Sequence, residues 1–79
     1  MKTEFKYIRF DLLRSTNKTS IWSCKNIRFN YELGIIKWYG PWREYCFFPI
    51  TNTIFSDECL LAIVEFLESL EKERRQRLY

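Results

Sequence analysis

Residues Gly34 to Pro49 read Gly-Ile-Ile-Lys-Trp-Tyr-Gly-Pro-Trp-Arg-Glu-Tyr-Cys-Phe-Phe-Pro. This run constrains the fold more than any other part of the chain. It sets Trp38, Tyr39, Trp42, Tyr45, Phe47 and Phe48 on two short strand-like stretches around Gly40-Pro41, with Lys37 and Arg43 among them. A glycine at positive φ followed by a proline near −65° makes a tight hairpin turn. Pro49 ends the second stretch, because proline has no N–H for a sheet ladder. The expectation is a hairpin of strands 34–39 and 42–48.

Two more strands precede it. In residues 4–13, Phe5 and Tyr7 fall on one side and Ile8, Phe10 and Leu12 on the other, at the period of a strand. Arg14 to Ser20 is a turn rich in residues that hydrogen-bond their own backbone. Residues 21–29 alternate again, and Asn30-Tyr31-Glu32 closes a second loop.

The last element reads as a helix. Ser56 is a good N-cap, and Asp57 and Glu58 sit where the helix dipole favours anions. Phe55 is placed to staple onto Leu60. Leu60, Ile63, Phe66, Leu67 and Leu70 keep the spacing of an apolar helix face. Glu68–Lys72, Glu71–Arg75 and Glu73–Arg77 are i,i+4 pairs in the favourable order.

The plan is α+β: an antiparallel four-stranded meander, ββββα, with one C-terminal amphipathic helix on one sheet face. At 79 residues the chain is one domain, 1–79, with the sheet over about 4–48 and the helix over about 56–76. A domain this small stabilises itself with disulfides, a metal or an unusually apolar core. Three cysteines, Cys24, Cys46 and Cys59, make no disulfide framework. Fifteen aromatics (three Trp, five Tyr, seven Phe) supply the apolar core instead. Free thiols, and a start that runs straight into charged residues with no secretory leader, predict a cytoplasmic protein. No apolar stretch approaches the ~20 residues that span a bilayer.

Catalytic parts are missing. The chain has no His, so a Cys nucleophile lacks its usual base. No cysteine pair has zinc-like spacing, and two glycines make no phosphate cradle. The reading is therefore a binding module, not an enzyme, with no cofactor and no metal.

The segment Gly34-x-Ile36-x-Trp38-Tyr39, Trp42-Arg43-x-Tyr45-Cys46-Phe47-x-Pro49, with Thr53-x-Phe55, Cys59-Leu60, Ile63 and Phe66, resembles small proteins of unassigned function encoded by bacteriophages, prophages and mobile elements. The resemblance covers residues of about 33–70. It implies a mobile-element setting, in which small proteins often inhibit or modulate host or defence machinery. It transfers no site residues.

The candidate contact comes from the residues themselves. Tyr, Trp and Arg dominate interface hot spots. Lys37, Tyr39, Arg43 and Tyr45 are taken as an exposed patch on the sheet face away from the helix, with Trp42 beside them at the turn. A host or defence protein is the expected partner, and the protein is a monomer or weak homodimer. The rival partner is single-stranded or structured nucleic acid, since basic aromatic sheets also bind that. Nine Lys/Arg against four Asp/Glu in residues 1–55 leave that part at +5, while four against six in 56–79 leave −2. Cations do not cluster along the chain except at Arg74-Arg75-x-Arg77, which favours a protein partner. Leu78 and Tyr79 offer a second contact or a dimer seam at the helix end.

Overall fold

The computed structural model describes residues 1–78, with side chains to Gln76. The contacts offered by Arg77, Leu78 and Tyr79 lie outside the described side chains. The fold is the expected one: four antiparallel strands in order β1-β2-β3-β4, then one helix. The strands are β1 (Ile8–Ser15), β2 (Ser20–Asn26), β3 (Glu32–Tyr39) and β4 (Glu44–Pro49), and the helix is α1 (Asp57–Leu78).

The register decides which side chains meet. Phe10 faces Cys24, Trp22 faces Ile36, Ile36 faces Phe47, and Trp38 faces Tyr45. Cross-strand partners share a face, so these residues form one apolar surface, and α1 lies on it. Ile63, Phe66 and Leu70 are buried there with Ile8, Phe10, Cys24 and Ile36. Phe66 is fully buried. Its ring stacks on Phe10 at 4.0 Å between centroids and meets the edge of Trp22 at 5.1 Å. Truncating such a ring costs about 3–5 kcal/mol.

Local chemistry follows the expectations in two places. The Thr16 hydroxyl accepts hydrogen bonds from the Lys18 and Thr19 N–H groups, closing the β1–β2 turn. The Ser56 hydroxyl accepts from the Cys59 N–H and caps α1.

Four expectations need correction. The first strand begins at Ile8, because the Phe5 N–H donates to the Ile8 carbonyl and turns the chain. Thr3 and Glu4 then fold back along β1, where the Phe10 N–H donates to the Thr3 carbonyl at 2.7 Å. The second strand ends at Asn26, whose side-chain oxygen accepts from the Phe29 N–H and opens the loop. Leu60, expected on the buried helix face, is half exposed, while Phe55 packs edge-on against Phe47 at 5.4 Å.

The fourth concerns the hairpin. Gly40 is not at positive φ. Gly40–Trp42 form one turn of 3-10 helix, closed by the Arg43 N–H on the Gly40 carbonyl. The left-handed position falls on Arg43, at φ 53° and ψ 46°. The loop is therefore four residues long, with Tyr39 paired to Glu44. Gly34 is the glycine that the fold needs. A Cβ there would lie 2.5 Å from the Phe47 ring and 2.7 Å from the Phe48 carbonyl oxygen.

The two glycines should thus answer oppositely. Gly34→Ala should lose about 1–3 kcal/mol by overpacking. Gly40→Ala meets nothing within 4 Å, so its stability should be unchanged or raised by up to about 1 kcal/mol. Urea midpoints of the two variants decide it, and the reverse order would refute this description of the hairpin.

Candidate binding surface on the open sheet face

The face turned away from α1 has two unlike halves. On the β1–β2 half the polar groups satisfy one another. Asp11 accepts from Arg9 at 3.3 Å and pairs with Lys25 at 3.4 Å. Arg9 also donates to Asn30. The buried Ser23 hydroxyl donates to Glu32 at 2.5 Å. These charges are already committed, which leaves little for a partner.

The β3–β4 half is aromatic. Tyr39, Lys37 and Ile35 face Glu44, Cys46 and Phe48 in register. Trp42 stands edge-on to Tyr39 at 5.1 Å, and Tyr39 reaches Phe48 at 6.0 Å. The Lys37 ammonium lies 4.8 Å from the centre of the Phe48 ring, within cation–π range. Trp42 is 68% exposed although it carries the largest side chain of the group. Arg43 is exposed beside it and makes no ion pair among the described residues.

Of the five residues expected at the contact, Lys37, Tyr39, Trp42 and Arg43 gather here. Tyr45 does not. It is 8% exposed on the opposite face, its ring packs on Trp38 at 5.5 Å, and its hydroxyl accepts from the Ser20 N–H at 3.1 Å. The reason is parity: Tyr45 pairs with Trp38 and follows it under the helix, whereas joining Tyr39 would take a one-residue slip. Phe48 takes the vacant place in the patch, as the alternation Glu44, Cys46, Phe48 allowed. A second exposed pair, Phe29 and Tyr31, stacks at 6.1 Å in the β2–β3 loop with Arg28 over Phe29. The sequence hid it, because residues 21–29 read as strand.

Two of the thiols, Cys24 and Cys46, are held toward their protonated form. Burial pushes the Cys24 thiol up to about 12, with Cys59 and Glu32 adding to the effect. Burial and the Glu44 carboxylate raise Cys46. Among the described residues, no three His, Cys, Asp or Glu side chains come together as a metal site. Among them too, no helix is long and apolar enough to cross a membrane.

The chain is 43% identical over 44 residues to an "Uncharacterized 9.3 kDa protein" of Acholeplasma phage L2. The match covers 56% of this chain and 56% of the phage protein, so the chain spans about half the length of the relative it matches. No family model and no solved structure matches. The relationship supports a small phage-like protein and carries no activity with it.

Two predictions follow from these placements. Tyr45→Ala should lose about 2–5 kcal/mol of stability through lost packing and an orphaned Ser20 N–H, while Trp42→Ala should stay within about 0.5 kcal/mol. Thermal melts compare them, and equal losses would refute the assignment of faces. Cys24 supplies a pH test. Its folded value lies above the ordinary 9.0, so its contribution is whole below about pH 9 and is lost as pH climbs toward 12. Cys24→Ala should flatten the alkaline fall in stability over that window, and an unchanged slope would show the thiol ionising freely in the fold.

Proposed function

We propose that this chain is a small non-catalytic binding module of a phage-like kind. In this reading it acts by docking on a host or defence protein, as an inhibitor or modulator. The contact is the hairpin end of the open sheet face: Trp42, Tyr39 and Phe48, with Lys37 and Arg43 at the rim. One observation carries the reading. A continuous aromatic stair lies on the sheet face that the helix does not cover, with Trp42 exposed at its end and Tyr39 and Phe48 part-buried behind it. Aromatic and Arg side chains of this kind are the residues whose truncation costs a protein interface about 2 kcal/mol or more, which is roughly thirtyfold in affinity.

A second reading has its own support. The β1–β2 turn, the β3–β4 turn and the C-terminal end of α1 share one end of the molecule. Arg14, Lys18, Arg43, Lys72, Arg74 and Arg75 therefore lie toward that end, where a phosphate backbone would find several cations. The protein reading is preferred because Glu71 holds both Arg74, at 3.0 Å, and Arg75, at 3.3 Å. Arg74 lies in addition over the Trp38 ring at 5.0 Å.

Affinity capture from host lysate, run with and without nuclease treatment, separates the two. A protein partner should stay bound at about 0.5 M salt, where screening reaches only roughly 4 Å. It should be lost from Trp42→Ala and Arg43→Ala proteins that melt like the parent. Recovery of nucleic acid alone, released steeply as salt rises, would replace this reading with the second.

A further inference from the structure

The two edges of the sheet are treated differently. On the β1 edge, Thr3 and Glu4 lie alongside the start of the strand, where the Ile8 carbonyl accepts from the Phe5 N–H and the Phe10 N–H donates to the Thr3 carbonyl. Nothing comparable covers β4. Among the described residues, no backbone hydrogen bond from outside the sheet reaches Glu44–Pro49. Within the strand, the Cys46 thiol lies 3.8 Å from the Glu44 carbonyl. The interior of β4, Tyr45-Cys46-Phe47-Phe48, holds no charge and no proline. Those are the usual defences of an exposed edge.

A second observation falls on the same side. The helix packs more closely on β4 than on any other strand. A groove of about 330 Å³ runs between them, lined by Glu44, Tyr45, Leu67, Glu68, Glu71 and Arg75. Along that flank of α1, Leu60 is 50% and Val64 49% exposed, with Leu67 partly buried below them. Spacings of four and three put the three on one stripe. An apolar stripe therefore borders a bare, uncharged strand edge.

We propose that this side is where two copies of the chain meet, β4 against β4. A two-fold axis normal to the sheet joins the four strands of each copy into one antiparallel sheet of eight. The same axis keeps both helices on one face and runs them antiparallel, so that the Leu60–Val64–Leu67 stripes come together. The charges at the two ends of the stripe fit this occupant. The stripe starts at Asp57 and ends at Lys72 and Arg75, with Glu44 and Glu68 also lining the groove. Antiparallel helices set the acidic start of one against the basic end of the other. Glu71 is already neutralised by Arg74 and Arg75. A six-residue edge alone is a small contact, and the helix stripe adds toward the roughly 800 Å² per partner of a stable interface. Both copies keep Trp42 free at the far ends, so this pairing stands apart from the hairpin contact.

Sedimentation equilibrium on the full chain tests it. The parent should dimerise at micromolar concentration. Val64→Lys, and independently Leu60→Lys, should weaken the dimer by at least about tenfold, that is ~1.4 kcal/mol. Leu12→Lys, equally exposed on the far strand β1, should leave it unchanged. Cys46 lies near the middle of β4, so a short bismaleimide should join the two copies and fail to do so in Cys46→Ser. A monomer at every concentration, or a dimer indifferent to the helix variants and not joined through Cys46, would overturn the proposal.

Discussion

Phe66 holds the two layers together. It is the aromatic side chain of α1 that reaches across the sheet, stacking on Phe10 of β1 and touching Trp22 of β2 while the helix itself lies nearest β4. Because one helix can cover only one face of a four-stranded sheet, that stack also decides which face stays open. Among the described residues no second helix covers the rest. The aromatic content is thereby divided. Phe10, Trp22, Trp38, Tyr45 and Phe47 stabilise the fold, whereas Tyr39, Trp42 and Phe48 stand on the other side.

The open face is not uniform, and the difference is electrostatic. Where strands β1 and β2 meet, Arg9, Asp11, Lys25, Ser23 and Glu32 bind each other. Exposed pairs of this kind contribute little stability, typically about 0–1 kcal/mol each. Their effect is to leave that half without unmet polar demand. Where β3 and β4 meet, Lys37 lies over the Phe48 ring and Arg43 takes the left-handed backbone position. Lys37 and Arg43 thus stand beside the aromatic surface without an ion pair among the described residues.

Much of the fold was legible because its signals are local. The Ser56 cap, the hydroxyl-closed turn at Thr16 and the spacing of Ile63, Phe66 and Leu70 each depend on residues within a few positions. The errors arose where a distant partner decides. Leu60 and Leu67 both fit an apolar helix face, and only the Phe66–Phe10 anchor sets the rotation that exposes Leu60. Tyr45 and Tyr39 look alike in sequence, and the pairing of Tyr45 with Trp38 separates them. Gly40-Pro41 suggested a two-residue turn, yet Pro41 sits just as well inside a 3-10 turn, and Arg43 then takes the left-handed position. The bare β4 edge had no signature in the sequence, because edge and centre differ only in their neighbours.

The central claim is that α1 covers the Phe10–Trp22–Ile36–Tyr45 face and leaves the Ile35–Lys37–Tyr39–Phe48 face uncovered. Nuclear Overhauser contacts from the Phe66 ring protons test it directly. The account requires strong contacts to the Phe10 and Trp22 rings and none to Ile35, Lys37 or Phe48. Contacts from Phe66 to Ile35 or Phe48 would place the helix on the other face and contradict it.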